Sequence, residues 1–118
     1  MRPLLRSPNR TAALVLGVAF AGYGALSLGF GRLPVGILFV GTAAGLVLAA
    51  ALGIAAARRA NVIAGVAWIV LGYAGLFLIG SPANVLGMIA QDEVVLFAAA
   101  TVHLAVGLGA RRDVAALA

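Results

Sequence analysis

The apolar positions of this chain fall in four long runs separated by short polar or turn-forming groups. The first run extends from about Thr11 to Phe30 and the second from about Val35 to Ala57. The third covers about Val62 to Gly80 and the fourth about Glu93 to Ala110. Each is close to the roughly 20 residues an α-helix needs to cross the hydrocarbon core of a bilayer. The runs are apolar on every face, so periodicity does not separate helix from strand. Length does, because a membrane strand needs only about 9–11 residues of alternating polarity. Backbone groups in lipid must also be satisfied within the spanning segment. The pattern therefore predicts an all-α membrane protein, one domain over residues 1–118, with four transmembrane helices in two hairpins. Gly31, Arg32, Leu33 and Pro34 form the first connection, with Pro34 near the first helical position of span 2. Arg58 to Asn61 form the second connection and Ser81 to Asp92 a longer third. Within the third, Pro82 to Ala90 is too short to span and is placed in the interface, with Ser81 as a candidate cap.

Composition agrees with this reading. The chain is 64% hydrophobic and 9% charged, against about 25% charged residues in a soluble domain. Its arginines mark the ends of the runs. Arg2, Arg6 and Arg10 precede the first, Arg58 and Arg59 divide the middle pair, and Arg111 and Arg112 close the last. Arg32 alone lies on the other side. The positive-inside rule then places both termini in the cytoplasm, in a multi-pass protein of the bacterial cytoplasmic membrane. The formal net charge of +5 does not suggest nucleic acid, because the arginines flank apolar runs instead of forming a basic face. Anionic headgroups of the cytoplasmic leaflet are the expected electrostatic partner. Basic residues before an apolar run also resemble a signal peptide. However, the run exceeds the roughly 7–15 residues of a signal core, so an uncleaved first span is expected. There is no cysteine, which removes disulfides and thiolate chemistry, and no lysine for Schiff-base chemistry.

Few residues remain that could carry chemistry. His103 is the single histidine. Counted back from Arg111, it lies roughly 12 Å inside span 4, near mid-membrane, where an ionisable residue is a functional candidate by default. Trp68 sits at a comparable depth in span 3, with Tyr73 further out. These three define a candidate intramembrane polar site, or else His103 is a neutral core histidine bonded to a carbonyl or hydroxyl. Haem ligation by His103 would need a second axial ligand, for which Met1 and Met88 are poorly placed and a second copy's His103 the alternative. No cofactor is expected. Asp92 and Glu93 suit the N-terminus of span 4, and with Arg32 they form a charged cluster at the outer end. No carboxylate lies inside a span, Ser27 is not at the level of His103, and no phosphate loop or metal cluster is present. The inventory points away from an enzyme.

Small residues recur at every fourth position. Gly41, Gly45, Ala49 and Gly53 do so in span 2, Ala21, Ala25 and Gly29 in span 1, and Thr101, Ala105 and Gly109 in span 4. Such a face lets another backbone approach closely. Packing inside the bundle is the expected use, with dimerisation or docking of a larger partner the alternative. An internal repeat is also suggested. Gly17-Val18-Ala19-Phe20 aligns with Gly65-Val66-Ala67-Trp68, and Gly24 then falls on Gly72. Gly53 before Arg58-Arg59 and Gly107 before Arg111-Arg112 look like matching ends.

The stretches Asn61–Gly75, Asn84–Gly87, Asp92–Leu96 and Ala105–Leu108 resemble a family of small four-helix bacterial membrane proteins of unknown function, frequent in actinobacteria. The resemblance covers roughly the second half. It implies the four-helix layout and no activity. That family carries an Asp shortly before a His in its fourth helix. Asp92 matches the Asp, but Leu96 stands where the His is expected, and the family's Asn/His motif in helix 2 is missing. The expected function is a non-enzymatic membrane protein, an accessory or assembly subunit packing against other membrane proteins or itself. The alternatives are a small transporter, channel or lipid-binding protein built around His103, and a haem- or quinone-binding redox subunit.

Overall fold

A computed structural model describes residues 5–117. Arg2 of the first arginine cluster and Met1 lie outside them. Among the described residues five helices follow in order: α1 (Pro8–Gly29), α2 (Leu33–Leu52), α3 (Ile54–Leu78), α4 (Ala90–Gly109) and the short α5 (Arg111–Leu117). The first four are long and apolar enough to cross a membrane, and the described residues contain no strand. The bundle measures 47 × 25 × 16 Å.

Local chemistry explains the helix ends. The Ser7 hydroxyl accepts the Arg10 N–H at 3.3 Å and Pro8 opens α1, a combination suited to a helix start. Pro34 does the same for α2. The expected boundary between the second and third spans needs correction. α2 ends at Leu52, and Gly53 turns the chain with φ +132° and ψ −174°, a conformation open only to glycine. α3 starts at once, so Arg58, Arg59 and Asn61 lie inside a helix instead of forming a connection. α4 likewise begins at Ala90, earlier than Glu93, so Asp92 and Glu93 lie buried within a candidate span, against the expectation that none holds a carboxylate, and the tail after Ala110 is helical. The loop before α4 is clamped by Asn84, whose side chain bonds both Met88 N–H (3.0 Å) and Met88 C=O (2.9 Å).

The two hairpins, α1/α2 and α3/α4, share one pattern of buried positions. Buried positions in α1 are Asn9, Ala13, Gly17, Phe20, Gly24 and Ser27. Those in α3 are Ala57, Asn61, Gly65, Trp68, Gly72 and Gly75, at one constant offset. In α2, Val35, Gly36, Phe39, Ala43, Leu46 and Ala50 correspond in the same way to Asp92, Glu93, Leu96, Ala100, His103 and Gly107 of α4. One tertiary bond is repeated as well. Arg10 Nε donates to Ala50 C=O at 2.8 Å, and its counterpart Arg58 donates to Gly107 C=O at 3.0 Å. The expected Gly17/Gly65 register is thus the structural one. Gly107, however, pairs with Ala50, and Ala110 pairs with Gly53.

Within each hairpin the helices touch at glycines. A methyl group at Gly24 would lie 2.9 Å from Val40 N and 3.0 Å from Gly36 O, and one at Gly107 would lie 3.3 Å from Val62 N. Close backbone approach is how apolar helices gain contact energy when the surrounding lipid is as apolar as they are. The glycines doing this are not those of the expected stripes. Gly41 and Gly45 are exposed with open space beside them, and Ala21, Ala25, Gly29, Thr101, Ala105 and Gly109 also face outward. Of the α2 stripe, Ala49 is buried.

Candidate functional site

A hydrogen-bonded chain of buried polar side chains runs from the arginine-rich end of the bundle to its middle. Asp113 of α5 accepts the Asn9 N–H and the Asn9 amide, both at 2.8 Å, through Oδ2. The Asn61 amide nitrogen donates to Asn9 O (3.0 Å) and Asn9 Oδ1 (2.9 Å). Asn61 Oδ1 lies 2.9 Å from His103 Nδ1. All four residues are at most 1% exposed.

The chain has a direction, and the direction sets the histidine tautomer. The Asn9 amide must turn its NH₂ to the Asp113 carboxylate, which leaves its carbonyl oxygen for Asn61. Asn61 must then present NH₂ to Asn9 and oxygen to His103. His103 therefore donates from Nδ1–H, and its Nε2 carries the lone pair. A buried carboxylate oriented through two amides sits behind the imidazole, and Nε2 has no partner of its own.

Above His103 the core is aromatic. Phe20 stacks on His103 with ring centroids 6.2 Å apart, and lies 5.2 Å from Phe39 and 5.6 Å from Trp68. Phe39 and Trp68 are 5.9 Å apart. Beyond this layer polar groups return. Tyr23, edge-on to Phe39 at 4.9 Å, donates its hydroxyl to Asp92 Oδ1 at 2.5 Å. Asp92 Oδ2 accepts the Ile89 N–H at 2.9 Å, capping α4, and forms the salt bridge with Arg32. That bond to Asp92 holds the Arg32 guanidinium above its ordinary range. Polar groups thus reach inward from both ends and stop at one aromatic layer.

Several expected site residues are placed differently. His103 and Trp68 share the core, but Tyr73 does not join them. It is 59% exposed and packs edge-on against Phe97 on the outer surface, and Tyr23 takes the core position instead. Arg32 meets Asp92, whereas Glu93 turns inward against Gly75. Met88 is buried in the loop before α4 and offers no axial ligand beside His103. Asn9, Asn61 and Asp113 were not among the expected site residues. The Gly17/Gly65 register, extended one turn, sets Asn61 on Ala13 and so places it inside a helix.

Two clefts open sideways between the hairpins. One, of about 410 Å³, is walled by α2 and α3 and lined by Trp68, Leu46 and Thr42 among others. The other, of about 340 Å³, lies at the equivalent place between α1 and α4 and is lined by Phe20, Tyr23 and Ala99. His103 lines neither.

Fold and site together describe an all-α bundle of four candidate spans with an interrupted polar axis. No family model matches the chain, and no curated protein and no solved structure matches it either.

Proposed function

We propose that this is a non-enzymatic membrane protein of the small transporter or channel class that binds a proton inside the bilayer at His103. In this reading the arginine-rich end, with both termini, faces the cytoplasm across the bacterial inner membrane, and anionic headgroups surround it. One observation carries the proposal. His103 occupies a position that the other hairpin fills with Leu46, and its unpartnered Nε2 is backed by Asp113 through Asn61 and Asn9. The matching positions for Asn61 and Asn9 are Ala13 and Ala57. The fold therefore accepts apolar residues at all three places, and polar groups are costly in lipid. A basic nitrogen kept free at mid-membrane is suited to taking up a proton, with Asp113 offsetting the charge. Phe20, Phe39 and Trp68 close the axis in this conformation.

The test is proton flux into reconstituted vesicles under an imposed pH gradient, read with an internal pH dye. Wild type is expected to acidify the lumen faster than empty vesicles, and His103→Leu to fall to the empty-vesicle rate. Equal rates for wild type and variant would sink the proposal.

A second reading, an accessory subunit docked against other membrane proteins, is favoured by the open outward face of Gly41 and Gly45. It expects a partner or second copy to co-purify in mild detergent. A stable solitary monomer counts against it.

A further inference from the structure

Among the described residues, the buried side-chain nitrogen and oxygen atoms without a hydrogen-bond partner are His103 Nε2, Trp68 Nε1 and both carboxyl oxygens of Glu93. All three residues lie on the buried seam where α3 faces α4. The equivalent seam of the first hairpin contains none of these atoms. Glu93 is at the far end of the seam from Asn61, in the first turn of α4, and is 4% exposed. Its carboxyl group lies against Gly75, where even a methyl group would collide with it. Its counterpart in α2 is Gly36, so the fold does not require a carboxyl group there.

We propose that Glu93 is a second proton-binding group, a carboxylic acid that gives up and regains its proton at the outer end of the α3/α4 seam. Among the described residues, the charged and titratable groups at this end besides Glu93 are Asp92, Tyr23 and Arg32, which are bound to one another, and Tyr73, which faces outward on Phe97. Arg32 neutralises Asp92 and leaves no cation for Glu93. α3 presents Gly75, Gly72 and Trp68 on this seam, with no charged group. Burial without a partner strongly disfavours the ionised carboxylate, so the group is carried as the acid. A metal cation fits poorly, because Ca²⁺ or Mg²⁺ needs about six oxygen ligands, and no cluster of three metal-binding side chains occurs among the described residues. The exchange is simple: the acid O–H bond breaks as a water molecule takes the proton to form hydronium, and the carboxylate remains until the reverse transfer restores the acid. The proposal extends the His103 reading to the other end of the same seam, but its test does not depend on flux.

The infrared spectrum of the protein in lipid vesicles at neutral pH provides that test. A protonated-carboxyl C=O band is expected, lost in Glu93→Gln and kept in Asp92→Asn and Asp113→Asn. Dicyclohexylcarbodiimide, which adds the acid O–H across its C=N bond, is expected to modify Glu93 alone of the three acidic residues. Absence of the band, or a band that survives Glu93→Gln, would overturn the proposal. So would protection of Glu93 from the reagent by sodium. If the band behaves as expected while His103→Leu leaves flux unchanged, Glu93 stands and the His103 reading fails.

Discussion

Gly24→Leu is expected to cost about 3 kcal/mol of stability or more, because it overpacks a site with no room to relax. A side chain at Gly24 would strike Val40 Cγ2 and also Val40 N and Gly36 O, and the last two are backbone and cannot rotate away. Separating α1 from α2 would undo the close backbone approach at Gly24 and Gly36. The same change at Gly41 is expected to alter monomer stability by no more than about 0.5 kcal/mol, since nothing lies within reach there. Unfolding in mixed micelles, followed by circular dichroism, compares the two directly. Equal losses would mean that α2 packs through the other face of its helix.

Asn61→Ala is the second substitution with a large expected effect. It removes the donor to Asn9 O and Asn9 Oδ1 and the acceptor for His103 Nδ1. A buried group left unsatisfied costs about 1–3 kcal/mol, although hydrogen bonds inside membrane proteins average nearer 0.6 kcal/mol. With several groups orphaned together, a loss of about 2 kcal/mol is expected. Adding His103→Leu should restore much of it, because the pair Ala and Leu is what the first hairpin already holds as Ala13 and Leu46. The two changes are therefore expected to be non-additive. Additive losses would mean that each side chain serves packing on its own.

How far the sequence discloses this arrangement depends on the kind of signal. Four long apolar helices follow from run length, and the common end of both termini from their even number, because both features are collective. The boundary at Gly53 is hidden, since alanines continue the apolar run to Ala57 and glycine is frequent throughout. That hidden boundary conceals Asn61, which reads as part of a connection next to Arg58 and Arg59. Asn9 and Asp113 are concealed for a related reason. They stand in polar terminal segments, and only the tertiary fold shows that α5 closes over the start of α1. Helix faces are also illegible where all sides are apolar. Tyr73 and Tyr23 look equivalent by depth, and so do the inward Gly24 and the outward Gly41. The repeat supplies the missing information. Tyr73 corresponds to Ala25, which is exposed, and Gly72 corresponds to the buried Gly24.

The repeat also gives the functional argument its control. Two hairpins share one packing scheme, yet the polar residues of one replace apolar residues of the other. His103, Asn61, Asp92 and Glu93 stand opposite Leu46, Ala13, Val35 and Gly36. In the first hairpin the exchange runs the other way at Asn9, opposite Ala57. Stability accounts for Asp92, which caps α4 and pairs with Arg32, but not for His103 and Glu93, whose buried Nε2 and carboxyl oxygens have no partner.

The most direct measurement of that claim is proton flux through the Asn61→Ala/His103→Leu double variant, with its unfolding curve taken on the same preparation. Stability close to wild type is expected, together with flux no greater than that of empty vesicles. A folded double variant that still carries wild-type flux would contradict it.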